Sequence, residues 1–302
     1  MKLTIASRGS QLALWQARWI EARLIELGHE CQIEIIKTTG DKFAEASLAQ
    51  LGAATGGKGL FTKEIEEALL DGRAHLAVHS LKDLPTTLPD GLALAAIPVR
   101  EDPRDAVVGK KLAELNPGDV IGTSSLRRAA QLLRLHPNLR IESIRGNLDT
   151  RLRKLDEGQY SSIVLASAGL RRLGWENRIA EVLPPDVMCP AVGQGALAVE
   201  TCTTGPGRDA CAALDHAATR AAVTAERAFL RSLGGGCQVP IGAHAEVDGE
   251  TLRIRGLVIA ADGSQVVTGD RSGPSHSAEE LGASLGADVL SRGAQALLEV
   301  HV

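Results

Sequence analysis

Aromatic side chains are nearly missing from this 302-residue chain: three Phe, three Trp and one Tyr make up 2% of it. A protein that reads single-stranded nucleic acid stacks the bases on a series of rings, and no such series exists here. Any core has to be built from Leu, Val, Ile and Ala. Cysteine is also sparse. The five thiols, Cys31, Cys189, Cys202, Cys211 and Cys237, are odd in number and form no C-x-x-C pair, so no disulfide framework and no metal site are expected. No apolar run approaches the roughly 20 residues that span a bilayer, and Met1 to Arg8 lacks a basic segment leading into a long apolar one. A cytoplasmic protein without membrane contact is the expectation. An overall basic excess is absent too: the formal net charge is −4, which argues against a nucleic-acid partner.

What is present is apolar content for real cores, 44% of residues, on a chain long enough for two or three domains. The charge is unevenly spread. Between Arg127 and Arg178 eleven basic residues face five acidic ones, so this segment is +6 and the remainder −10. A cationic surface on an acidic protein points to a small anionic ligand.

Apolar strands alternate with amphipathic helices through the first two-thirds of the chain. Lys2 to Ser7 predicts a strand, Ser10 an N-cap, Gln11 to Leu27 a helix and Gly28 its stop, which leaves Arg8 in a strand-to-helix loop. Gln32 to Thr39 predicts a second strand and Leu60 to Leu70 a second helix. Between them, Gly52 to Gly59 nearly satisfies the phosphate-loop pattern, but Gly59 stands where the magnesium-binding hydroxyl belongs and no strand leads into Gly52. Lys58 is better read as an anion contact beside a helix start. Ala74 to His79 predicts a strand whose carboxyl end delivers Ser80, Lys82 and Asp83, the position where ligands gather in open α/β sheets. Leu92 to Ile97 predicts another strand and Pro98 to Pro103 a hinge.

The pattern then repeats. Strands at Val120–Gly122, Arg140–Ile144 and Ser162–Ala166 each end in arginine: Arg127 and Arg128 in the first turn of a helix over Leu126–Leu135, Arg145 with Arg151 in the following helix, and Arg171 with Arg172. Cations at a helix N-terminus oppose the macrodipole, so an anion is expected beside Arg127 and Arg128. Val192 to Glu200 predicts a glycine turn into a strand like those of the first domain, so the chain crosses back. The expected domains are 1–97 with 196–213, then 100–190, then 215–302. Two α/β lobes joined by two crossings resemble the type II periplasmic binding proteins. The third domain is a small α+β unit with a helix from Asp215 to Leu233, a strand from Ile241 to Val247, hairpins at Asp248-Gly249 and Asp262-Gly263, and a helix over Ala278–Leu298. It contains Gly234-Gly235-Gly236-Cys237, a loop that presents a thiol on a permissive backbone.

The segments ASRGSQLALWQ, GGKGLFTKE, HSLKDLP, GTSSLRR, RGN with Arg151 after it, SAGLRRLG, AVGQGA and GGGCQVPIG resemble, in order and over nearly the whole chain, the hydroxymethylbilane synthase (porphobilinogen deaminase) family. One position departs from the family's habit: Ala54 stands where a lysine is often found. The resemblance implies a transferase that condenses four porphobilinogen molecules head to tail, releasing ammonia, onto a dipyrromethane cofactor bound to Cys237 through a thioether, and then releases the linear tetrapyrrole by hydrolysis. By the same resemblance Asp83 is the catalytic carboxylate. Lys58, Ser80, Lys82, Asp83, Ser125, Arg127, Arg128, Arg145 and Gly146 match cofactor-binding positions, and Arg8, Arg145, Arg151, Arg172 and Gln194 match substrate-binding positions. It also implies a monomer that hands its product to the next enzyme of the pathway. A non-catalytic binding protein for a small anion is the alternative, and it leaves the third domain and its thiol unexplained.

Overall fold

The computed structural model describes residues 2–42, 62–234 and 240–299; the expectations placed on Lys58 and Cys237 lie outside the described residues. The chain divides into two compact units, Met1–Arg100 with Ala196–His216 and Glu101–Gly195 with Ala217–Val302.

The first unit contains β1 (Lys2–Ser7), α1 (Gln11–Glu26), β2 (Glu30–Ile35), a helical turn α2 (Thr39–Lys42), α3 (Lys63–Leu70), β3 (Leu76–Ser80) and β4 (Leu92–Ala96), joined later by β10 (Leu197–Cys202) and α7 (Pro206–Cys211). Its sheet has the order β2-β1-β3-β10-β4. The first three strands are parallel, and β10 runs antiparallel to both of its neighbours. Because successive strand residues point to opposite faces, Leu3, Ile5, Leu76, Val78 and Val199 pack with Ile20 and Leu24 of α1, while Ala6, Ala77 and Leu92 pack with Ile65 and Leu69 of α3. The helix start is as the sequence dictates: Ser10 Oγ accepts from Ala13 N at 3.3 Å, and Gly28 follows the helix with φ +88°.

The second unit contains β5 (Asp105–Gly109), β6 (Val120–Gly122), α4 (Leu126–Leu135), β7 (Arg140–Glu142), α5 (Leu148–Asp156), β8 (Ser162–Ala166), α6 (Ser167–Arg172) and β9 (Ile179–Leu183), followed after Ala217 by α8 (Ala217–Ser232), β11 (Ile241–Asp248), β12 (Thr251–Ile259), β13 (Val266–Pro274), α9 (Ala278–Val289) and α10 (Gln295–Glu299). Its larger sheet has the order β7-β6-β8-β5-β9, with β5 antiparallel to both neighbours. Each five-stranded sheet thus has, in fourth place, the strand that follows a crossing of the chain. The strands β11, β12 and β13 form an antiparallel meander. Phe229 of α8 is fully buried against it together with Ala243, Ile254, Leu285 and Val289.

Several expected bounds change for identifiable reasons. The strand expected over Gln32–Thr39 is β2, which runs in register with β1 from Lys2↔Glu30 to Ser7↔Ile35 and ends where its partner ends. Thr39 instead opens α2, its backbone N donating to Glu64 Oε1 at 2.8 Å. The strand expected to reach Ile144 stops at Glu142, because β6 offers only three residues to pair with. The helix expected from Asp215 begins at Ala217; Asp215 Oδ1 accepts from Ile97 N at 2.7 Å in the connection before it. The last helix is broken where Gly293 takes φ +94°. Strands β5 and β9 have no counterpart in the expected pattern. Asp105 opens β5 with a charge, and Ile179-Ala-Glu-Val-Leu of β9 runs straight into Pro184, so neither has a clean alternation.

Candidate active site

At the carboxyl end of β3, Ser80 Oγ accepts from Gln16 Nε2 at 2.9 Å, and Leu81 N donates to Ala196 O at 3.0 Å. Leu81 to Asp83 make one 3-10 turn in which Leu81 is buried and Asp83 is exposed. Leu81 is the anchor, so the carboxylate of Asp83 faces outward beside Lys82. Arg8 leaves the end of the neighbouring strand β1 and is half-buried.

In the second unit Ser125 caps α4, its Oγ accepting from Arg128 N at 3.4 Å. Arg127 and Arg128 follow it in the first turn, and both turn inward. Asp105, fully buried at the start of β5, accepts from Arg127 Nη1 at 2.7 Å through Oδ2, and from Arg128 Nε at 2.9 Å and Nη2 at 2.7 Å through Oδ1. Arg127 Nη1 also donates to Cys189 O at 2.5 Å, and Arg128 Nη1 to Val164 O at 3.0 Å. Gln194 is fully buried as well. Its Nε2 donates to Pro103 O at 2.7 Å and to Asp105 Oδ1 at 2.8 Å, and its Oε1 accepts from Arg128 Nη2 at 3.4 Å. Burial alone would raise the Asp105 carboxyl, but the guanidiniums of Arg127 and Arg128 outweigh it and hold the group far below the usual carboxylate range. The anion expected beside this helix start is therefore, in part, supplied by the protein. Two guanidiniums over one carboxylate still leave one positive charge at the N-terminus of a ten-residue helix, where backbone N–H groups add to the pull on an anion.

The remaining arginines occupy two further strand ends. After β7, Arg145 is half-buried and Gly146 takes φ +109°; a Cβ there would lie 2.6 Å from Thr150 Cγ2. Arg151 Nε donates to Gly146 O at 2.8 Å, so the loop and the helix after it are tied together. After β8, Arg172 Nη2 donates to Gly195 O at 2.7 Å from a buried position, and burial lowers its guanidinium to about 10 against a smaller opposing effect of Glu101. It stays a cation at neutral pH. The neighbouring Gly195 has φ +85°, and a side chain there would run into the carbonyl of Glu101. Gln194 and Gly195 thus link the Asp105 cluster to Arg172 through one turn.

Two family models match this chain. "Porphobilinogen deaminase, dipyromethane cofactor binding domain" covers residues 3–206, and "Porphobilinogen deaminase, C-terminal domain" covers residues 220–291. The chain belongs to the porphobilinogen deaminase family. The porphobilinogen deaminase of Methylobacillus flagellatus is 50% identical over 304 residues, 98% of this chain and 96% of the relative. That of Gloeobacter violaceus is 51% identical over 307 residues, 98% of this chain and 92% of the relative. Among solved structures, the methionine binding protein MetQ aligns at 13% identity over 70% of this chain and 89% of its own, with a TM-score of 0.45.

Within this porphobilinogen deaminase fold, the described candidates fall into four groups: Ser80, Lys82 and Asp83 after β3, near the end of β1 that carries Arg8; Ser125, Arg127, Arg128 and Gln194 around Asp105; Arg145, Gly146 and Arg151 after β7; and Arg172 after β8. Asp105, the acceptor of the second group, stands outside the residues expected from the sequence. Its signal was an acidic residue heading the apolar run Ala106-Val107-Val108, since a carboxylate in such a place requires a buried cationic partner. No helix among the described residues is long and apolar enough to cross a membrane.

Proposed function

We infer that this chain is a hydroxymethylbilane synthase, joining four porphobilinogen molecules with loss of ammonia onto a dipyrromethane cofactor and releasing the linear tetrapyrrole by hydrolysis. The observation that carries this reading is similarity to porphobilinogen deaminases at about half identity along nearly the full chain. The donor chemistry fits the cofactor. Pyrroles of this class carry acetate and propionate arms, and the buried guanidiniums of Arg127, Arg128 and Arg172 outnumber the carboxylate that Asp105 sets against them.

In this reading Cys237 carries the cofactor in thioether linkage from a third domain over residues 215–302, and Lys58, Ser80, Lys82, Ser125, Arg127, Arg128, Arg145 and Gly146 hold its acidic arms and ring nitrogens. When bound, the cofactor supplies the nucleophilic ring carbon to which porphobilinogen is joined. Arg8, Arg145, Arg151 and Arg172 orient the substrate carboxylates, for which the planar two-pronged guanidinium suits better than an ammonium. Gln194 acts on that set through Arg128 and Asp105. The carboxylate of Asp83, borne on its 3-10 turn, offsets positive charge that develops on pyrrole nitrogen as ammonia leaves and accepts the ring N–H as a hydrogen bond. We further propose a cytoplasmic monomer that passes its product directly to the next enzyme of the pathway.

The test is Asp83→Asn. The purified variant should exceed its sequence mass by one dipyrromethane, mapped by peptide analysis to Cys237, yet release no ammonia from porphobilinogen beyond background. Near-normal ammonia release would refute the role of Asp83, and a wild-type mass equal to the bare sequence would refute the covalent cofactor.

A further inference from the structure

A buried cluster of ionisable side chains lies in the first unit, one of them on the strand that leads into the turn bearing Lys82 and Asp83, and none of the roles above uses it. His79 of β3, Glu200 of β10 and Glu66 of α3 are 7%, 0% and 9% exposed. His79 Nε2 stands 3.1 Å from Glu200 Oε2. No hydrogen bond joins them: His79 Nε2, both carboxylate oxygens of Glu200 and Oε1 of Glu66 have no hydrogen-bond partner among the described residues. A carboxylate so placed is costly without a basic partner beside it, and the His79 imidazole, 3.1 Å away, is the partner the fold supplies. Glu66 belongs to the same cluster. Burial, with the nearby Glu200 charge adding to it, pushes the Glu66 carboxyl up against the opposing pulls of Thr62 and His79.

The pairing of strands gives this cluster a consequence for the site. Strand β10 returns to the sheet after the whole segment from Glu101 to Gly195, so no tight turn sets its register. It lies antiparallel to β3 with Leu197 opposite Ser80, Ala198 opposite His79 and Glu200 opposite Ala77. Glu200 and His79 are therefore diagonal neighbours on one face, within reach of each other. A slip of one residue would turn Glu200 to the other face and leave its charge unpaired. The same register brings Ala196 O to Leu81 N, the bond that holds the turn ahead of Asp83.

We propose that His79 and Glu200 are positioning residues: their pair keys β10 to β3 and so fixes the turn that presents Asp83 to the substrate. The proposal rests on the reading of Asp83 given above. The experiment compares Glu200→Gln, His79→Gln, the double variant His79→Gln/Glu200→Gln and Asp83→Asn, each confirmed by intact mass to carry its cofactor. Displacing a reacting group by about 1 Å costs on the order of 100-fold in rate. Glu200→Gln and His79→Gln should each lower kcat by about that factor with KM for porphobilinogen unchanged within about twofold. The double variant, whose two amides can bond to each other, should regain about tenfold of the loss. His79→Gln serves alone if Glu200→Gln does not fold. A folded, loaded single variant with wild-type kcat, or a double variant no better than the singles, overturns the proposal. Were Asp83→Asn to turn over normally, the reading of Asp83 would fail instead; an inactive Asp83→Asn beside a fully active Glu200→Gln removes the positioning pair alone.

Discussion

Replacing Asp105 with asparagine removes the one carboxylate on which two buried guanidiniums and the Gln194 amide converge, without changing the shape of the side chain. Removing one member of a buried ion pair costs about 3–5 kcal/mol, since the remaining charge is left uncompensated. The asparagine oxygen can still accept from one arginine, so the lower end applies, about 3 kcal/mol. At about 2–4 °C per kcal/mol for a unit of this size, the transition should fall by roughly 6–12 °C at pH 7, followed by circular dichroism. The pH dependence makes the test sharper. The folded Asp105 carboxyl titrates below its ordinary value of 3.8, so its contribution is complete above that value and is lost as pH falls, first because the unfolded chain gains the proton. Between pH 7 and pH 3 the gap between wild type and variant should narrow by about 1 kcal/mol. A variant that melts within about 2 °C of wild type, or a gap that stays constant down to pH 3, would refute the claim that this carboxylate is the counter-ion of the arginine pair.

Glu66→Gln should behave in the opposite sense. Its folded carboxyl is raised above the ordinary 4.5, so its stability contribution is present below that value and lost as pH rises through the folded value. The variant should match wild type near pH 4 and melt higher near pH 8; equal melting at both would show that Glu66 carries no such strain. Gly146→Ala places a side chain at φ +109° and 2.6 Å from Thr150 Cγ2, which costs on the order of 1–3 kcal/mol. Urea unfolding should show that loss, and KM for porphobilinogen should rise because Arg151 is tied to the Gly146 carbonyl; an unchanged midpoint would mean that the loop adapts without cost.

Local chemistry made much of the architecture legible. The first strand, the Ser10 cap and the Gly28 stop follow from side-chain hydrogen bonding and backbone freedom, and Ser125 and the paired arginines after it define the start of α4. Strand ends were harder, because a strand is only as long as its partner: β2 stops with β1, and β7 stops with β6. Strands β5 and β9 lack a pattern of their own and exist because they pair with β8 and with each other.

By itself, then, the order of motifs determined the alternation of strands and helices, the strand-end positions of Asp83 and the arginines, and the family to which the chain belongs. Those features depend on neighbours close in sequence. Only the tertiary structure decided that Arg127 and Arg128 turn inward onto Asp105, that Gln194 joins them, and that Glu200 meets His79 across two strands. These pairs join residues far apart in the chain, and a buried charge is stable only where folding brings its counter-charge within a few ångströms.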